Sequence, residues 1–315
     1  MQKLSILIPV YNESSSLETL CKMVLEHVPA TVELYEILFV DDGSTDGSFD
    51  IIAKMAANNP TITALRLAVN SGKAEALAVG FQHARGDIII TMDADLQDDP
   101  KEIPRFIDEL AKGFDLVSGW KQNRQDPWHK TWPSKIFNTV IAKLFGLPLR
   151  DMNCGFKAYK RELAEKLYLY GELHRYIPVL AQSMGARIKD IPVEHHPRKF
   201  GVSKYGVSRL LKGFLDMITV WVITRFLKRP LHLFGSIGLL CSSFGALALA
   251  YLAFLWVGGI RPIGNRPLLF YGIALLLLGV QVLSLGIVAE LFIRFNHRTV
   301  KPVIVERVGA RKANQ

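Results

Sequence analysis

The sequence predicts an α/β domain with a mostly parallel sheet, followed by two transmembrane helices. Short apolar segments alternate with helical patterns between residues 4 and 90, at a spacing typical of βαβ units. Polar clusters follow four of these apolar segments. Beyond them, residues 231–257 and 268–289 contain no Asp, Glu, Lys or Arg. Each of these runs exceeds the roughly 20 residues needed to cross a bilayer.

The first half of the domain is expected to contain four strands, at residues 4–10, 37–40, 61–67 and 86–90. The first helix is predicted to begin at Ser15, because Glu18 three residues later would complete a capping box. The next two helices are expected to end near residues 58 and 84. A further strand is expected at residues 116–119.

Two carboxylates, Asp93 and Asp95, follow the strand at residues 86–90. Side chains two residues apart on an extended segment share a face, and two carboxylates there repel each other unless a cation lies between them. Mg²⁺ and Mn²⁺ favour such oxygen ligands, and substrate phosphates usually complete their coordination. The alternative is a solvated acidic turn in which Asp99 caps the next helix, with Pro100 and Glu102 after it. That alternative does not explain Asp93 and Asp95.

Four polar clusters follow predicted strands, at residues 11–13, 41–44, 70–73 and 93–95. In open parallel sheets, ligands bind beyond the carboxyl ends of the strands. A single polar cluster after a strand is explained by a turn, whereas four clusters that converge at one edge indicate a binding site. The sequence therefore predicts a site for a metal-bound diphosphate at this edge of the sheet.

Residues 9–13, 41–46, 72–73 and 93–97 together resemble the family 2 glycosyltransferases of the GT-A fold. The resemblance is greatest to the polyprenyl-phosphate glycosyltransferases, the group that contains dolichyl-phosphate mannose synthase. It covers roughly residues 1–230, and the membrane architecture after that region also matches. It implies a GT-A catalytic domain and a nucleotide-sugar donor.

The resemblance also implies roles for individual residues. The positions that match the lining of the nucleotide base and ribose are Pro9, Tyr11, Glu13 and Asp42. Lys73 matches a position beside the nucleotide. The metal and diphosphate positions are matched by Asp93, Asp95 and Gln97. Strand-end packing is the alternative for Pro9 and Tyr11, and a turn bond to Ser44 is the alternative for Asp42.

Residues 120–132 mix tryptophan with basic side chains, a composition that suits nucleic acid or lipid headgroups. The apolar runs favour lipid, so no nucleic-acid partner is expected. By resemblance, Arg124, Lys130 and Ser134 are the candidates for gripping a lipid phosphate. The family often has Arg directly after the serine-containing strand, where this chain has Gly119, Trp120 and Lys121. Which cation binds the phosphate is therefore open.

Two further segments resemble the family. At residues 150–159, Cys154 replaces the usual hydroxyl, and Asp151 is expected to orient acceptor cations or act near the sugar, with an ion pair to Arg150 or Lys157 as the alternative. The basic loop at residues 195–206 is expected to close over the diphosphate and lipid phosphate through Arg198 and Lys204. A zinc site at its two histidines is disfavoured, since no Cys or third His lies at ligand spacing.

The predicted organisation is a catalytic domain at residues 1–206, an amphipathic helix at 207–229, a transmembrane hairpin at 230–294 and a basic tail at 295–315. The amphipathic helix is expected in the membrane interface, with a core helix as the alternative. Basic flanks place both termini and the catalytic domain in the cytoplasm, at the inner or plasma membrane, and no signal peptide precedes the first strand. The net charge of +9 suits this surface. Three scattered cysteines imply no disulfide framework.

The predicted function is transfer of a sugar from a UDP- or GDP-sugar to a polyprenyl phosphate. The resemblance implies inversion at C1 and a requirement for Mg²⁺ or Mn²⁺. A phosphate monoester is mostly dianionic at neutral pH, so a strong general base is not required. The alternatives are a polysaccharide synthase, disfavoured because Gln-x-x-Arg-Trp and further spans are missing, and a catalytically silent nucleotide-sugar scaffold or sensor. The sugar, the base and the lipid carrier stay open, and a homotetramer is the assumed assembly.

Overall fold

The computed structural model describes residues 3–29, 32, 34–121, 141–147, 149–196, 208–226 and 229–295. The chain divides into two compact units, Met1–Thr224 and Arg225–Gln315.

The first unit is built on one seven-stranded sheet. Its strands are β1 (Lys3–Val10), β2 (Leu34–Asp41), β3 (Ile62–Arg66), β4 (Ile88–Thr91), β5 (Leu116–Lys121), β6 (Lys157–Lys160) and β7 (Ile188–Val193). Its helices are α1 (Leu17–His27), α2 (Ser48–Asn58), α3 (Lys73–His83), α4 (Ile103–Ala111), α5 (Arg161–Ala164), α6 (Ile177–Ser183) and α7 (Ser208–Phe226). Two 3₁₀ turns are Pro100–Glu102 and Leu173–Tyr176.

The strand order is β3-β2-β1-β4-β6-β5-β7. Strands β1, β2, β3 and β4 pair in parallel, β5 and β7 also pair in parallel, and β6 runs antiparallel between β4 and β5. Six of the seven strands therefore run in one direction and end at the same edge, which confirms the predicted mostly parallel sheet. Because β6 is reversed, its first residue, Lys157, lies at that edge beside Thr91.

Each face of the sheet carries a buried apolar cluster. Ile6 and Ile8 of β1 point into the cluster covered by α1, α2 and α4. Leu7 points into the other cluster, which is covered by α3, α6 and α7. This division follows from the alternation of side chains along a strand. Strands buried on both faces read as continuous apolar runs, which is why the sequence revealed them.

The two predicted helix starts have different outcomes. The capping box at Ser15 and Glu18 is wrong: α1 begins at Leu17 with Ser16 at the N-cap, and the Ser16 hydroxyl donates to the Glu13 carbonyl at 2.9 Å. The Glu13 N–H donates to the Ser48 hydroxyl at 3.0 Å and the Ser14 N–H to the Asp46 carboxylate at 3.0 Å, so the segment before α1 is held by residues that follow β2. The cap at Asp99 is confirmed, since its carboxylate accepts the Lys101 N–H at 3.0 Å.

Helix α7 combines features of both predicted alternatives, a core helix and an amphipathic helix at the membrane interface. Val220 and Met217 pack on the cluster behind the sheet, and the Tyr176 hydroxyl donates to the Gly213 carbonyl at 2.8 Å. Leu215 and Ile218 are exposed. One side of α7 therefore packs in the core of the first unit, whereas another side exposes apolar side chains.

The second unit contains α8 (Pro230–Val257) and α9 (Pro267–Phe295), both long and apolar enough to cross a membrane. Glycines allow their backbones to approach closely. A Cβ at Gly238 would come within 2.7 Å of the Gly279 carbonyl, and one at Gly245 within 2.7 Å of the Gly272 carbonyl. Most other side chains of the pair, such as Leu247, are exposed. An exposed surface of this apolar character is compatible with lipid rather than with water.

Candidate active site

The first part of the site ties the end of β1 to the loop after β2. The Asn12 N–H donates to the Ser44 hydroxyl at 2.9 Å, and the Asn12 side-chain oxygen accepts the Thr45 N–H at 2.8 Å. Asn12 has a φ of +54°, a conformation that Asn tolerates better than most residues. The Glu13 N–H donates to the Ser48 hydroxyl at 3.0 Å. These bonds hold the predicted base-binding segment at the carboxyl edge of the sheet.

Adjacent aspartates at the end of β2 have different partners. Asp41 accepts the Ser44 N–H at 3.3 Å and forms an ion pair with Arg66 at 3.5 Å. The turn bond considered for Asp42 is therefore made by Asp41. Asp42 is buried, and its carboxylate holds the next loop by accepting from three groups: Ser71 N at 2.7 Å, Gly72 N at 2.9 Å and Asn70 Nδ2 at 3.0 Å.

Two other predicted base-binding positions lie at the same edge. Pro9 is half-buried in β1 and pairs with Val40 of β2. Tyr11 directly follows β1 and is 38% exposed, so its ring is accessible to a ligand. Tyr11, Glu13 and Asp42 are thus brought together by β1 and β2, which are neighbours in the sheet.

Lys73 and Asp93 form an ion pair at the centre of this edge. Lys73 is the first residue of α3, directly after the loop that Asp42 holds, and its Nζ contacts the Asp93 Oδ1. Burial opposes ionisation of Asp93, but the ammonium groups of Lys73 and Lys121 lower its pKa to about 2. Asp93 is therefore a carboxylate at neutral pH.

The chain turns sharply after Asp93, with a φ of +59° at Leu96. The Gln97 N–H donates to Asp95 Oδ1 at 3.2 Å, and the Gln97 amide donates to the His196 carbonyl at 3.2 Å. Asp98 is buried and accepts the Asp93 N–H at 3.4 Å. Burial and the charges of Asp93 and Asp95 raise the pKa of Asp98 to about 6, against the opposing effect of Lys121.

The residues fit a hard divalent cation. Carboxylate oxygens of Asp93 and Asp95 and the amide oxygen of Gln97 are the ligand type that Mg²⁺ and Mn²⁺ prefer. The Asp98 Oδ1 atom is inaccessible to solvent and has no hydrogen-bond partner among the described residues. The His195 Nδ1 atom lies 4.0 Å from this oxygen, and the crowded negative charge favours binding of a cation.

A second group of possible metal ligands lies nearby, formed by Asp99, Glu194 and His196, whose ligand atoms lie within 4.8 Å of one another. Lys101 already compensates these carboxylates, because its Nζ lies 3.2 Å from Asp99 and 2.5 Å from Glu194. His196 also contacts Asp99, at 3.1 Å. Both this group and the predicted metal ligand Asp93 therefore have a lysine as counter-ion.

Comparison with known proteins decides the family. Residues 5–168 match the model of glycosyl transferase family 2. This chain belongs to that family. It is 37% identical over 302 residues to dodecaprenyl-phosphate galacturonate synthase of Rhizobium johnstonii, a match that covers 94% of this chain and 89% of that protein. The predicted family is thereby confirmed, and the protein is a glycosyltransferase.

Solved structures show the same fold. The glucosyl-3-phosphoglycerate synthase of Mycobacterium tuberculosis, crystallised with Mn²⁺, UDP and phosphoglyceric acid, superposes with a TM-score of 0.56 at 20% identity, covering 71% of this chain and 78% of that one. Its complex with Mn²⁺, UDP-glucose and glycerol 3-phosphate gives 0.53 at 20% identity, covering 71% and 80%. At this identity the similarity concerns the fold, and it confirms the predicted GT-A architecture.

The segments that the sequence predicts to bind the acceptor are described in part. The predicted residues Arg124, Lys130, Ser134, Arg198 and Lys204 lie outside the described residues. Lys121 ends β5 at the carboxyl edge. Burial lowers its pKa, but the charges of Asp98, Asp93 and Asp151 outweigh that effect and raise it.

Asp151 and its neighbours form a packed corner of the transferase. Asp151 is buried and accepts the Asn153 N–H at 3.1 Å. The Arg150 guanidinium stacks over the Trp120 ring at 4.7 Å from its centre. The Lys157 Nζ donates to the Cys154 carbonyl.

Two side chains near the site were given no functional role from the sequence. Lys157 is buried, and burial together with Lys73 lowers its pKa. His174 lies on the turn Leu173–Tyr176, and its Nδ1 is buried without a hydrogen-bond partner within the described part of the chain. Burial, Lys73 and Arg175 hold its pKa well below the usual value, so the imidazole is neutral at pH 7. The family segment contained Lys157, whereas no local pattern marks His174.

Proposed function

We propose that this glycosyltransferase moves a sugar from a nucleoside diphosphate sugar to polyprenyl phosphate. The observation that carries the proposal is the 37% identity to a dodecaprenyl-phosphate galacturonate synthase, which extends over 94% of the chain and therefore includes the two apolar helices. The alternative of a soluble acceptor gives those helices no role.

The residues at the carboxyl edge divide the work. Tyr11, Glu13 and Asp42 bind the base and ribose, and Asp93, Asp95 and Gln97 hold Mg²⁺ or Mn²⁺ against the diphosphate. The divalent cation supplies electrostatic stabilisation of the leaving diphosphate. Asp93 is suited to this role because it stays ionised across the physiological pH range.

Lys121 is positioned to hold the acceptor. Its side chain lies at the same edge as Asp93 and carries a positive charge, and a phosphate monoester brings a dianion to it. An oxygen of that phosphate attacks C1, the bond from C1 to the diphosphate breaks, and the configuration inverts. Orientation by cations replaces activation by a base.

The donor and the membrane placement are the finer parts of the proposal. A hexuronate donor such as UDP-galacturonate stands first because the relative is a galacturonate synthase. Basic residues flank the helix pair, with Arg225 and Arg229 before it and Arg298 and Lys301 after it. By the positive-inside rule, both flanks and the catalytic unit face the cytoplasm.

A nucleotide-release assay on the detergent-purified chain tests the proposal. It uses UDP- and GDP-sugars, including UDP-galacturonate, with Mg²⁺ or Mn²⁺ and either undecaprenyl phosphate or 3-phosphoglycerate. Release that requires both one donor and the lipid phosphate supports the proposal. Nucleotide release with 3-phosphoglycerate and not with the lipid phosphate would show that the proposed acceptor is wrong. Nucleotide binding without release would favour the sensor alternative. Asp95→Asn, expected to abolish release while it leaves the melting temperature unchanged, is the site control.

A further inference from the structure

The Lys73–Asp93 pair places a positive charge of the chain itself on a predicted metal ligand. Lys73 Nζ contacts Asp93 Oδ1, and the two side chains are only 32% and 34% exposed. Asp93 lies in a short segment that also contains the buried carboxylates Asp95 and Asp98. Such a group of carboxylates requires a cation before a metal arrives as well as after it.

We propose that Lys73 is an exchangeable internal cation, which neutralises Asp93 in the absence of metal and transfers to the donor diphosphate when the divalent cation binds. This inference rests on the proposed function, which assigns the metal to Asp93, Asp95 and Gln97. An ammonium and a dication on the same carboxylate repel each other, so metal binding at Asp93 favours withdrawal of Lys73.

The backbone geometry makes this exchange a side-chain movement. The loop before Lys73 is held by the Asp42 carboxylate through the Ser71 and Gly72 N–H groups, and the main chain at Lys73 is the first turn of α3. The flexible four-carbon stem of lysine lets the ammonium move while its Cα stays in place. The main chain of Lys73 is thus held by Asp42, the predicted ligand of the nucleotide base, while its ammonium contacts the predicted metal ligand Asp93.

The exchange predicts reciprocal coupling between metal and nucleotide. The metal takes the carboxylate end of the ion pair, and the diphosphate takes the ammonium end. Each ligand therefore makes binding of the other more favourable, by a coupling factor that is typically about 5- to 150-fold. Without Lys73, the metal meets no competitor, and the nucleotide gains less from its presence.

The test measures Mn²⁺ binding by electron paramagnetic resonance to the detergent-purified full-length chain, without nucleotide and with UDP or GDP. For Lys73→Met we expect Mn²⁺ affinity without nucleotide to rise about tenfold, and the enhancement by nucleotide to fall to less than about threefold. Lys73→Arg keeps the charge and should behave like the wild type. Lys101→Met removes the ammonium at the neighbouring Asp99 and Glu194 and is the matched control.

Each other outcome has a defined meaning. An unchanged Mn²⁺ affinity in Lys73→Met, or an unchanged nucleotide enhancement, overturns the exchange while leaving the proposed function intact. A tightening in Lys101→Met instead of Lys73→Met places the ion at Asp99 and also overturns the exchange. If the wild type binds no Mn²⁺ even with nucleotide, the metal assignment of the proposed function fails together with this inference. Circular dichroism melts confirm that each variant is folded.

Discussion

The carboxylate of Asp93 lies directly against the backbone of Gly155. A Cβ at Gly155 would come within 2.6 Å of Asp93 Oδ1 and 2.7 Å of Oδ2. The Thr91 hydroxyl donates to the Gly155 carbonyl at 2.8 Å, which ties the end of β4 to this loop. The predicted metal ligand is therefore positioned by a residue 62 positions away that has no side chain.

Gly155→Ala should displace the Asp93 carboxylate. Overpacking of this kind costs about 1–3 kcal/mol, so we expect Mn²⁺ affinity in the presence of nucleotide to fall about tenfold or more, with a parallel loss of transfer. Gly264→Ala is the control, since nothing lies within 4 Å of its Cβ position. Equal Mn²⁺ affinity in the two variants would show that Asp93 can move aside without loss.

Asp42→Asn should loosen the loop before Lys73. One carboxylate oxygen becomes an NH₂ group, which cannot accept the N–H of Ser71 or Gly72. A buried N–H left unsatisfied costs about 1–3 kcal/mol. We expect weaker nucleotide binding by calorimetry and faster amide exchange at residues 71 and 72. Unchanged exchange there would mean that other contacts hold the loop.

Asp98→Asn should stabilise the metal-free protein at neutral pH. The pKa of Asp98 is about 6 in the folded chain and about 3.9 in an unfolded one, so the folded state holds the proton more tightly and stability falls as pH rises from about 4 to 6. Above that range the ionised Asp98 side chain lowers the free energy of unfolding by about 3 kcal/mol. Asn carries no charge and therefore avoids this loss.

The measurement for Asp98→Asn is the melting temperature in EDTA at pH 7.5 and at pH 4.5. We expect the variant to melt above the wild type at pH 7.5, with the difference reduced at pH 4.5. Asp108→Asn, at an exposed position of α4, is the control. A difference that is the same at both pH values would argue against a buried charge at Asp98.

Gly279→Leu should separate the two apolar helices. A Cβ at Gly279 already comes within 2.6 Å of the Gly238 carbonyl and also meets the Ser242 side chain, and small residues allow such close packing in membranes. We expect a lower melting temperature in detergent, as overpacking by about 1–3 kcal/mol predicts. Leu277→Ala, at an exposed position on the same helix, should leave the melting temperature close to that of the wild type.

The local features of this protein could be predicted from the sequence. Buried strands are continuous apolar runs, and the helix pair is marked by its length and lack of charge, because both properties reside in neighbouring residues. The cap at Asp99 and the polar clusters at the strand ends are local patterns too. The cluster positions converge because strand direction in βαβ units leaves only one edge for them.

Side-chain partners could not be predicted in the same way. Asp41 and Asp42 are identical neighbours, yet one binds Ser44 and Arg66 while the other holds the loop before α3. Their side chains leave the strand end in opposite directions, and which loop packs on each side is a property of the fold. The capping box at Ser15 failed for a similar reason, since Asp46 and Ser48, which follow β2, hold the segment just before α1.

The sequence alone determined the fold class, the family and the chemical types of the site residues, since these depend on short-range patterns and on motifs. Only the tertiary structure decided that Lys73 meets Asp93, that Gly155 supports it, and that His174 lies near both charges. Ion pairs and steric contacts act over a few ångströms, and the distance between residues 93, 155 and 174 is set by how α3, β4 and β6 pack. Such distances cannot be predicted from patterns of neighbouring residues in the sequence.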